Sequence, residues 1–402
     1  MTSTIAATAT GPAQATTLGN GRFFKNQTFH FETLRAAGYV TAGGAEIGEV
    51  LETVKTVEEG NVQSWYRAWS ATADRVSALA GHTRDRKSKG NAYLRAYNYE
   101  RFAEFLLPPE DPKRPVSWEK STASFDRALE TLGVACERIA VPYGGASLRT
   151  LYVPGPQGAD EKPLIVLVGG FDSTLEELYL VLGRAAGDRG YSVLMYEGPG
   201  QGEALRKYGL TFTHEWERPT RAVLDEFLRT HAEPAKTVIV GMSMGGYFAP
   251  RAAAFDERFD GLVAFDTCFD FAGAAGSIAA RAADPMAMKN PDNAWAFHNA
   301  RWTLGIRDLD EFRKAAAPYT LAPVAYRIRQ DVLILCGAED QFIPFHQTAD
   351  FEKALVNARS VTTRIFDPPS GGANHCQAGN LSLLHATVFD WLLDKFPEAA
   401  RA

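Results

Sequence analysis

Ser243 stands between two glycines in Val-Ile-Val-Gly-Met-Ser-Met-Gly-Gly-Tyr (238–247), where a β-branched apolar run gives way to an alanine-rich one. A serine hydroxyl becomes a useful nucleophile only when it is lifted clear of the backbone and a base sits beside it. Gly-x-Ser-x-Gly between a strand and a helix meets the first need. The turn is sharp and holds the serine in strained dihedrals. Gly241 and Gly245 are required there because a Cβ at either would strike neighbouring backbone. The helix that follows points its first N–H groups at the same spot, which suits a developing oxyanion. The pentapeptide arises by chance in about one chain in ten of this length, so the strand before it and the helix after it give it its weight.

The base and its orienting acid must come from elsewhere in the chain. Where an elbow of this kind opens a triad, the chain order is serine, acid, histidine. Downstream, Val-Leu-Ile-Leu-Cys-Gly-Ala-Glu-Asp (332–340) reads as a strand whose closing turn carries Asp340, with Glu339 as its neighbouring competitor. Three histidines follow Asp340. His346 opens a helix, and His385 lies inside an amphipathic one as a packed or capping residue. His375 sits in a Gly-rich loop between the last strand and the last helix, where a mobile general base belongs. An oxyanion hole needs two N–H donors. Met244, next to the serine, supplies one. Phe171, after Gly169-Gly170, supplies the other, unless those glycines only form a tight turn. Asp172 is placed to cap the helix that holds Leu175 and Leu178. Glu197 anchors a Gly-rich turn, and Cys376 reads as a packing residue beside His375. Trp295, with Phe297, His298 and Trp302, lines an apolar substrate pocket or fills the core of its own segment.

These residues need elements to position them. Before about residue 134 the periodicity is helical, with Ile47, Val50, Leu51, Val54 and Val57 at helix spacing. A helix ending at Gly133 closes this region. Then Cys136–Gly155 reads as a hairpin turning at Tyr143-Gly144-Gly145. After it, short Val/Ile/Leu runs alternate with helical stretches, which predicts an α/β fold with a mostly parallel, doubly wound sheet. The pattern breaks between Phe271 and Pro323, a stretch too long for a simple loop. The expected organisation is a polar tail (1–21), an all-helical region (22–133) and a core (134–402). The core carries a helical insertion, about 271–323, over the sheet edge where ligands bind.

Composition narrows the function classes. The 402 residues are 46% hydrophobic and 22% charged, with a net charge of −6 and no long run of one sign. That argues against a nucleic-acid or anionic-membrane partner. No apolar stretch reaches the ~18 residues of a membrane span. The N-terminus lacks the basic and apolar regions of a signal peptide. Four widely spaced cysteines read as reduced thiols, without CxxC or His spacing for a metal. A cytoplasmic enzyme acting on a small molecule is expected. No metal or organic cofactor is called for, since neither GxGxxG nor a P-loop occurs. The helical region offers a surface for a homodimer.

The elbow, the acid and the histidine resemble those of the α/β-hydrolase superfamily. Gly-Gly-Phe-Asp-Ser-Thr-Leu-Glu-Glu-Leu-Tyr (169–179), Tyr-Glu-Gly-Pro-Gly-Gln-Gly-Glu-Ala (196–204) and the helical N-terminal region resemble one branch of it. That branch contains the 2,6-dihydroxypseudooxynicotine hydrolase type and related hydrolases of fungal polyketide pathways. Phe-His-Phe-Glu-Thr-Leu-Arg-Ala-Ala-Gly-Tyr (29–39) and Gly-Gly-Ala-Glu-Ile-Gly-Glu-Val-Leu (43–51) are similar to it as well. The resemblance implies hydrolysis of a carbon–carbon bond next to a ketone, through an acyl-enzyme on Ser243 with a stabilised carbanion leaving. It also implies that Asp172 binds or protonates a hydroxylated ring. An esterase, a lactonase and an acyl-transferring or cyclising enzyme would use the same triad. A non-catalytic binding protein on this fold would have no need of it.

Overall fold

The computed structural model describes residues 23–156 and 162–397. The expected polar tail, 1–21, lies outside them. Five helices come first: α1 (Gln27–Gly38), α2 (Ile47–Val54), α3 (Val62–His82), α4 (Arg86–Phe105) and α5 (Lys113–Leu132). Their ends follow local chemistry. Asn26, Asn61 and Asp85 each accept a backbone N–H at the start of α1, α3 and α4, satisfying donors that the helix leaves unpaired. Gly133 closes α5 in the left-handed conformation.

Strands β1 (Glu137–Tyr143) and β2 (Ala146–Val153) form the hairpin, with Tyr143 opposite Ala146. The two-residue turn takes positive φ at both Gly144 and Gly145, which matches the twist of the strands it joins. The rest of the chain alternates. It runs β3 (Leu164–Val168), α6 (Leu175–Leu178), α7 (Arg184–Gly187), β4 (Val193–Tyr196), α8 (Gly202–Tyr208), α9 (Glu217–Thr230), β5 (Thr237–Met242), α10 (Gly245–Phe255) and β6 (Gly261–Phe265). Helices α11 (Phe271–Ala282), α12 (Pro291–Leu304) and α13 (Leu309–Ala316) occupy the predicted insertion. Then come β7 (Asp331–Gly337), α14 (His346–Ala354), β8 (Ser360–Phe366) and α15 (Leu381–Lys395).

The eight strands make one sheet in the order β1-β2-β4-β3-β5-β6-β7-β8. The β1–β2 and β2–β4 pairs are antiparallel and the remaining pairs parallel. The central strands are apolar on both faces because both faces are covered. Ile165, Leu167, Val238, Val240 and Leu333 point into one buried cluster, and their neighbours Val166, Ile239, Val332 and Ile334 into the other. The first cluster continues without a break into Phe29, Trp65, Trp69 and Phe102 of the helical region. The N-terminal helices therefore share a core with the sheet. The helical spacing read at α2 is only partly buried: Val50 is enclosed, while Ile47 is 49% and Leu51 42% exposed. Among the described residues no helix is long and apolar enough to cross a membrane.

Candidate active site

Strand β5, in the middle of the sheet, ends at Met242, and α10 begins three residues later. Ser243, between them, has φ +60°, a backbone conformation that L residues adopt only when the surroundings impose it. The reason for both glycines is visible. A Cβ at Gly241 would lie 1.9 Å from the Gly245 carbonyl oxygen, and one at Gly245 would lie 2.7 Å from that of Val168.

The structure brings Ser243, His375 and Asp340 together. His375 Nε2 lies 2.8 Å from Ser243 Oγ, and His375 Nδ1 lies 2.7 Å from Asp340 Oδ2. Asp340 follows β7, and its Oδ1 accepts the N–H groups of Phe342 and Ile343 at 2.7 and 2.9 Å. Burial opposes the charge on Asp340, but His375 and these donors outweigh it and hold the carboxyl below its usual range. Burial likewise opposes a charge on His375, and the Asp340 carboxylate overrides it and raises the imidazole. His346 is exposed at the start of α14. His385 is buried in α15 with Nε2 2.6 Å from the Val181 carbonyl, and Glu339 plays no part in the array.

The two N–H groups expected as oxyanion donors lie beside a loop whose carbonyl directions are fixed by side chains. Gln201 Nε2 donates to the Gly169 and Gly170 oxygens at 2.8 and 2.9 Å, and Asn299 Nδ2 to the Phe171 oxygen at 3.3 Å. The Gly170 N–H is taken by Ser173 Oγ. Among the described residues, no acceptor faces the N–H of Phe171 or that of Met244. Both residues line the cavity that holds Ser243 and His375. The loop sits hard against the elbow, since a Cβ on Gly170 would lie 2.9 Å from the Met244 nitrogen.

Asp172 also faces this cavity but caps no helix. Thr174 holds the N-cap position of α6, and the Leu175 N–H goes to Glu197. Asp172 pairs instead with Arg35 Nη1 at 2.9 Å and Arg101 Nη2 at 3.3 Å. Burial is again overcome, here by the two guanidinium groups, and the carboxyl is held below its usual range. An ionised Asp172 accepts hydrogen bonds and has no proton to give. Glu197 ties two helix starts together by accepting the Leu175 and Glu203 N–H groups. Trp295 faces the cavity, and its ring packs on α4 rather than inside its own segment. It stacks on Phe105 at 4.7 Å and donates Nε1 to the Phe105 carbonyl at 2.9 Å. The cavity measures about 200 Å³, more than the ~150 Å³ that encloses a benzene ring.

The sequence pattern of the alpha/beta hydrolase family matches residues 165–385, more than half of the chain. The chain belongs to the α/β-hydrolase family. This α/β-hydrolase is 33% identical to Hydrolase acrC of Aspergillus aculeatus over 421 aligned residues, covering 93% of the chain and 98% of that protein. It is 29% identical to 20-hydroxy-prefusarin hydrolase FUS2 of Gibberella moniliformis over the same shares of both chains. Among solved structures it is similar to 2,6-dihydroxy-pseudo-oxynicotine hydrolase, with a TM-score of 0.72 and 21% identity over 89% of this chain and 95% of that one. The α/β-hydrolase fold expected from the sequence is the fold observed.

Two features beside the serine and histidine of this α/β-hydrolase site, like the Arg35 and Arg101 partners of Asp172, were not read from the sequence. One is Gln201, which holds the carbonyls of Gly169 and Gly170. The other is Asp266, at the carboxyl end of β6. It lies 3.6 Å from His375 Nδ1 and accepts the Cys376 N–H at 2.6 Å and Gln377 Nε2 at 3.1 Å. Cys376 and Gln377 both have positive φ, +52° and +46°. Asp266 therefore anchors a strained turn that presents the histidine. Burial and the nearby Asp340 carboxylate push its pKa up to about 7. A signal existed: Val-Ala-Phe-Asp ends a buried strand with an acid, as the strand before Asp340 does. The Cys376 thiol is pushed up by burial, which leaves it protonated and a poor nucleophile.

A raised His375 has a kinetic consequence. A histidine base must be neutral to take a serine proton, so if His375 plays that part, kcat/KM for a p-nitrophenyl ester is expected to rise with pH through a value above the ordinary 6.5 of histidine. A pH–rate profile checks this. An acid limb at or below 6.5 would contradict the coupling to Asp340.

Proposed function

We propose that this enzyme hydrolyses the carbon–carbon bond next to a ketone in a small aromatic or polyketide-type metabolite, through an acyl-enzyme on Ser243. The observation that carries the reading is the unbroken line of hydrogen bonds from Ser243 through His375 to Asp340, at the wall of a cavity. His375 takes the serine proton as Oγ attacks the ketone. The N–H groups of Phe171 and Met244 hold the oxyanion, which is the largest electrostatic contribution in reactions of this type. Asp340 fixes the tautomer of His375 and stabilises its charged form. Collapse releases a carbanion stabilised by a second carbonyl or an electron-rich ring. Asp172, ionised by Arg35 and Arg101, orients the substrate through a hydroxyl or enol. Water then hydrolyses the ester on Ser243, with His375 as base.

A charged wall supports this reading over simple ester hydrolysis. An alkoxide leaving group takes its proton from the histidine and needs no second set of ionisable groups. A carbon leaving group must be both stabilised and protonated. The test compares an aryl β-diketone with a short p-nitrophenyl ester, following products by mass. Serine-dependent cleavage of the diketone with little ester turnover is expected. Fast ester turnover alone would make the enzyme a general esterase.

A further inference from the structure

Helix α1, Gln-Thr-Phe-His-Phe-Glu-Thr-Leu-Arg-Ala-Ala-Gly, places Glu32 and Arg35 on the wall of the cavity that holds Ser243 and His375. The helix lies against the histidine. The Phe31 ring is 6.4 Å from that of His375 and 5.5 Å from Phe342, which is itself 5.0 Å from His375.

The charges around Glu32 do not balance. Three carboxyl groups (Glu32, Asp172 and Glu177) meet two guanidinium groups, Arg35 and Arg101. Arg35 gives Nε and Nη2 to Glu177 at 2.8 and 2.6 Å and Nη1 to Asp172 at 2.9 Å. Arg101 gives Nη2 to the carbonyl and carboxylate of Asp172 and lies 3.9 Å from Glu177. Tyr39 donates its hydroxyl to Glu177. Glu32 is left with one long contact, 3.3 Å, to an Arg35 nitrogen already bonded to Asp172. That is the one hydrogen bond of its carboxyl among the described residues, and the residue is 1% exposed. A buried carboxyl without its own counter-charge takes up a proton. Burial, only partly offset by Arg35, accordingly pushes Glu32 up to about 8, while Asp172 on the same wall is held down. Two acids driven apart in this way mark an acid and a permanent anion.

We propose that Glu32 is the acid that protonates the departing carbon, and that the leaving fragment is a carbonyl-stabilised enolate. This rests on the carbon–carbon reading above. Ser243 Oγ bonds to the ketone carbon as its proton passes to His375. The carbon–carbon bond breaks and its electron pair leaves on the enolate. The Glu32 proton goes to the α-carbon, and Glu32 becomes a carboxylate beside Arg35. His375 passes its proton through solvent to Glu32, then takes one from the water whose oxygen bonds to the acyl carbon. That proton returns to Ser243 Oγ as the acid product departs. One water is consumed, and Glu32 ends protonated.

The experiment measures wild type, Glu32→Gln and Glu32→Asp with the aryl β-diketone and the p-nitrophenyl ester, together with the infrared carbonyl stretch that a protonated carboxyl shows and a carboxylate lacks. The ratio of diketone to ester turnover is expected to fall about 10²-fold in Glu32→Gln and to recover in part in Glu32→Asp. In wild type, kcat on the diketone falls as pH passes about 8, and Glu32→Gln removes that limb. An infrared band present at pH 7 in wild type and missing from Glu32→Gln reports the proton directly. An unchanged ratio, or an equal loss on both substrates, overturns the proposal, and so does a missing band. Wild type that cleaves the ester and no diketone overturns the carbon–carbon reading and proton delivery with it. The band then shows separately whether Glu32 holds its proton.

Discussion

Replacing Ser243 by alanine is expected to lower turnover by about 10⁶-fold, the loss seen when a triad's nucleophile is removed. The folded structure should be unaffected, because among the described residues the hydroxyl's one hydrogen bond is to His375. The backbone adds a second, independent readout. Ser243 is held at φ +60°, and such strain costs a non-glycine residue about 1 kcal/mol or more. Ser243→Gly should therefore be as inactive as Ser243→Ala and yet melt about 1–2 °C higher than wild type. Steady-state kinetics and thermal melts on the three proteins check both. Turnover by Ser243→Ala within about tenfold of wild type would remove this serine from the reaction.

Asp340→Asn is expected to cost about 10⁴-fold in kcat, because an amide leaves the imidazole free to take the wrong tautomer. Asp266 should soften that loss. It already lies 3.6 Å from the same His375 nitrogen, and after burial it is the Asp340 charge that most raises its pKa. With Asp340 neutral, Asp266 ionises more readily and takes over part of the orienting role. The double variant Asp340→Asn/Asp266→Asn should therefore fall a further ~10-fold below Asp340→Asn, the kind of non-additivity that residues sharing one partner show. Equal activity in the two variants would make Asp266 only an anchor of the Cys376-Gln377 turn.

What the sequence disclosed and what it hid divide along a physical line. The elbow was legible because its requirements are local: a strand, a turn that excludes two Cβ atoms, and a helix, all within 238–254. The hairpin at Gly144-Gly145 and the parallel strands were legible for the same reason, since each shows in a short window. His375 and Asp340 followed from chain order. The partners of Asp172 did not, because Arg35 lies 137 residues away and Arg101 71 residues away. Nothing near Asp172 announces a guanidinium, so the helix-cap alternative stood until the two cations were placed. The same holds for the proposed role of Glu32, which depends on five side chains from three separate segments. Asp266 was visible at a strand end but unread, because one strand-end acid had already been assigned to the histidine. Ile47 and Leu51 obey helical spacing and stay exposed, since periodicity shows that a face is apolar and not whether the fold covers it.

The most direct test of the account is intact-protein mass spectrometry on enzyme quenched during turnover of an aryl β-diketone. A mass increase equal to the acyl fragment is expected, mapped by peptide digestion to Ser243 and missing from Ser243→Ala. Products formed by a protein that never carries the acyl group would contradict it, and would replace the acyl-enzyme with direct attack by water.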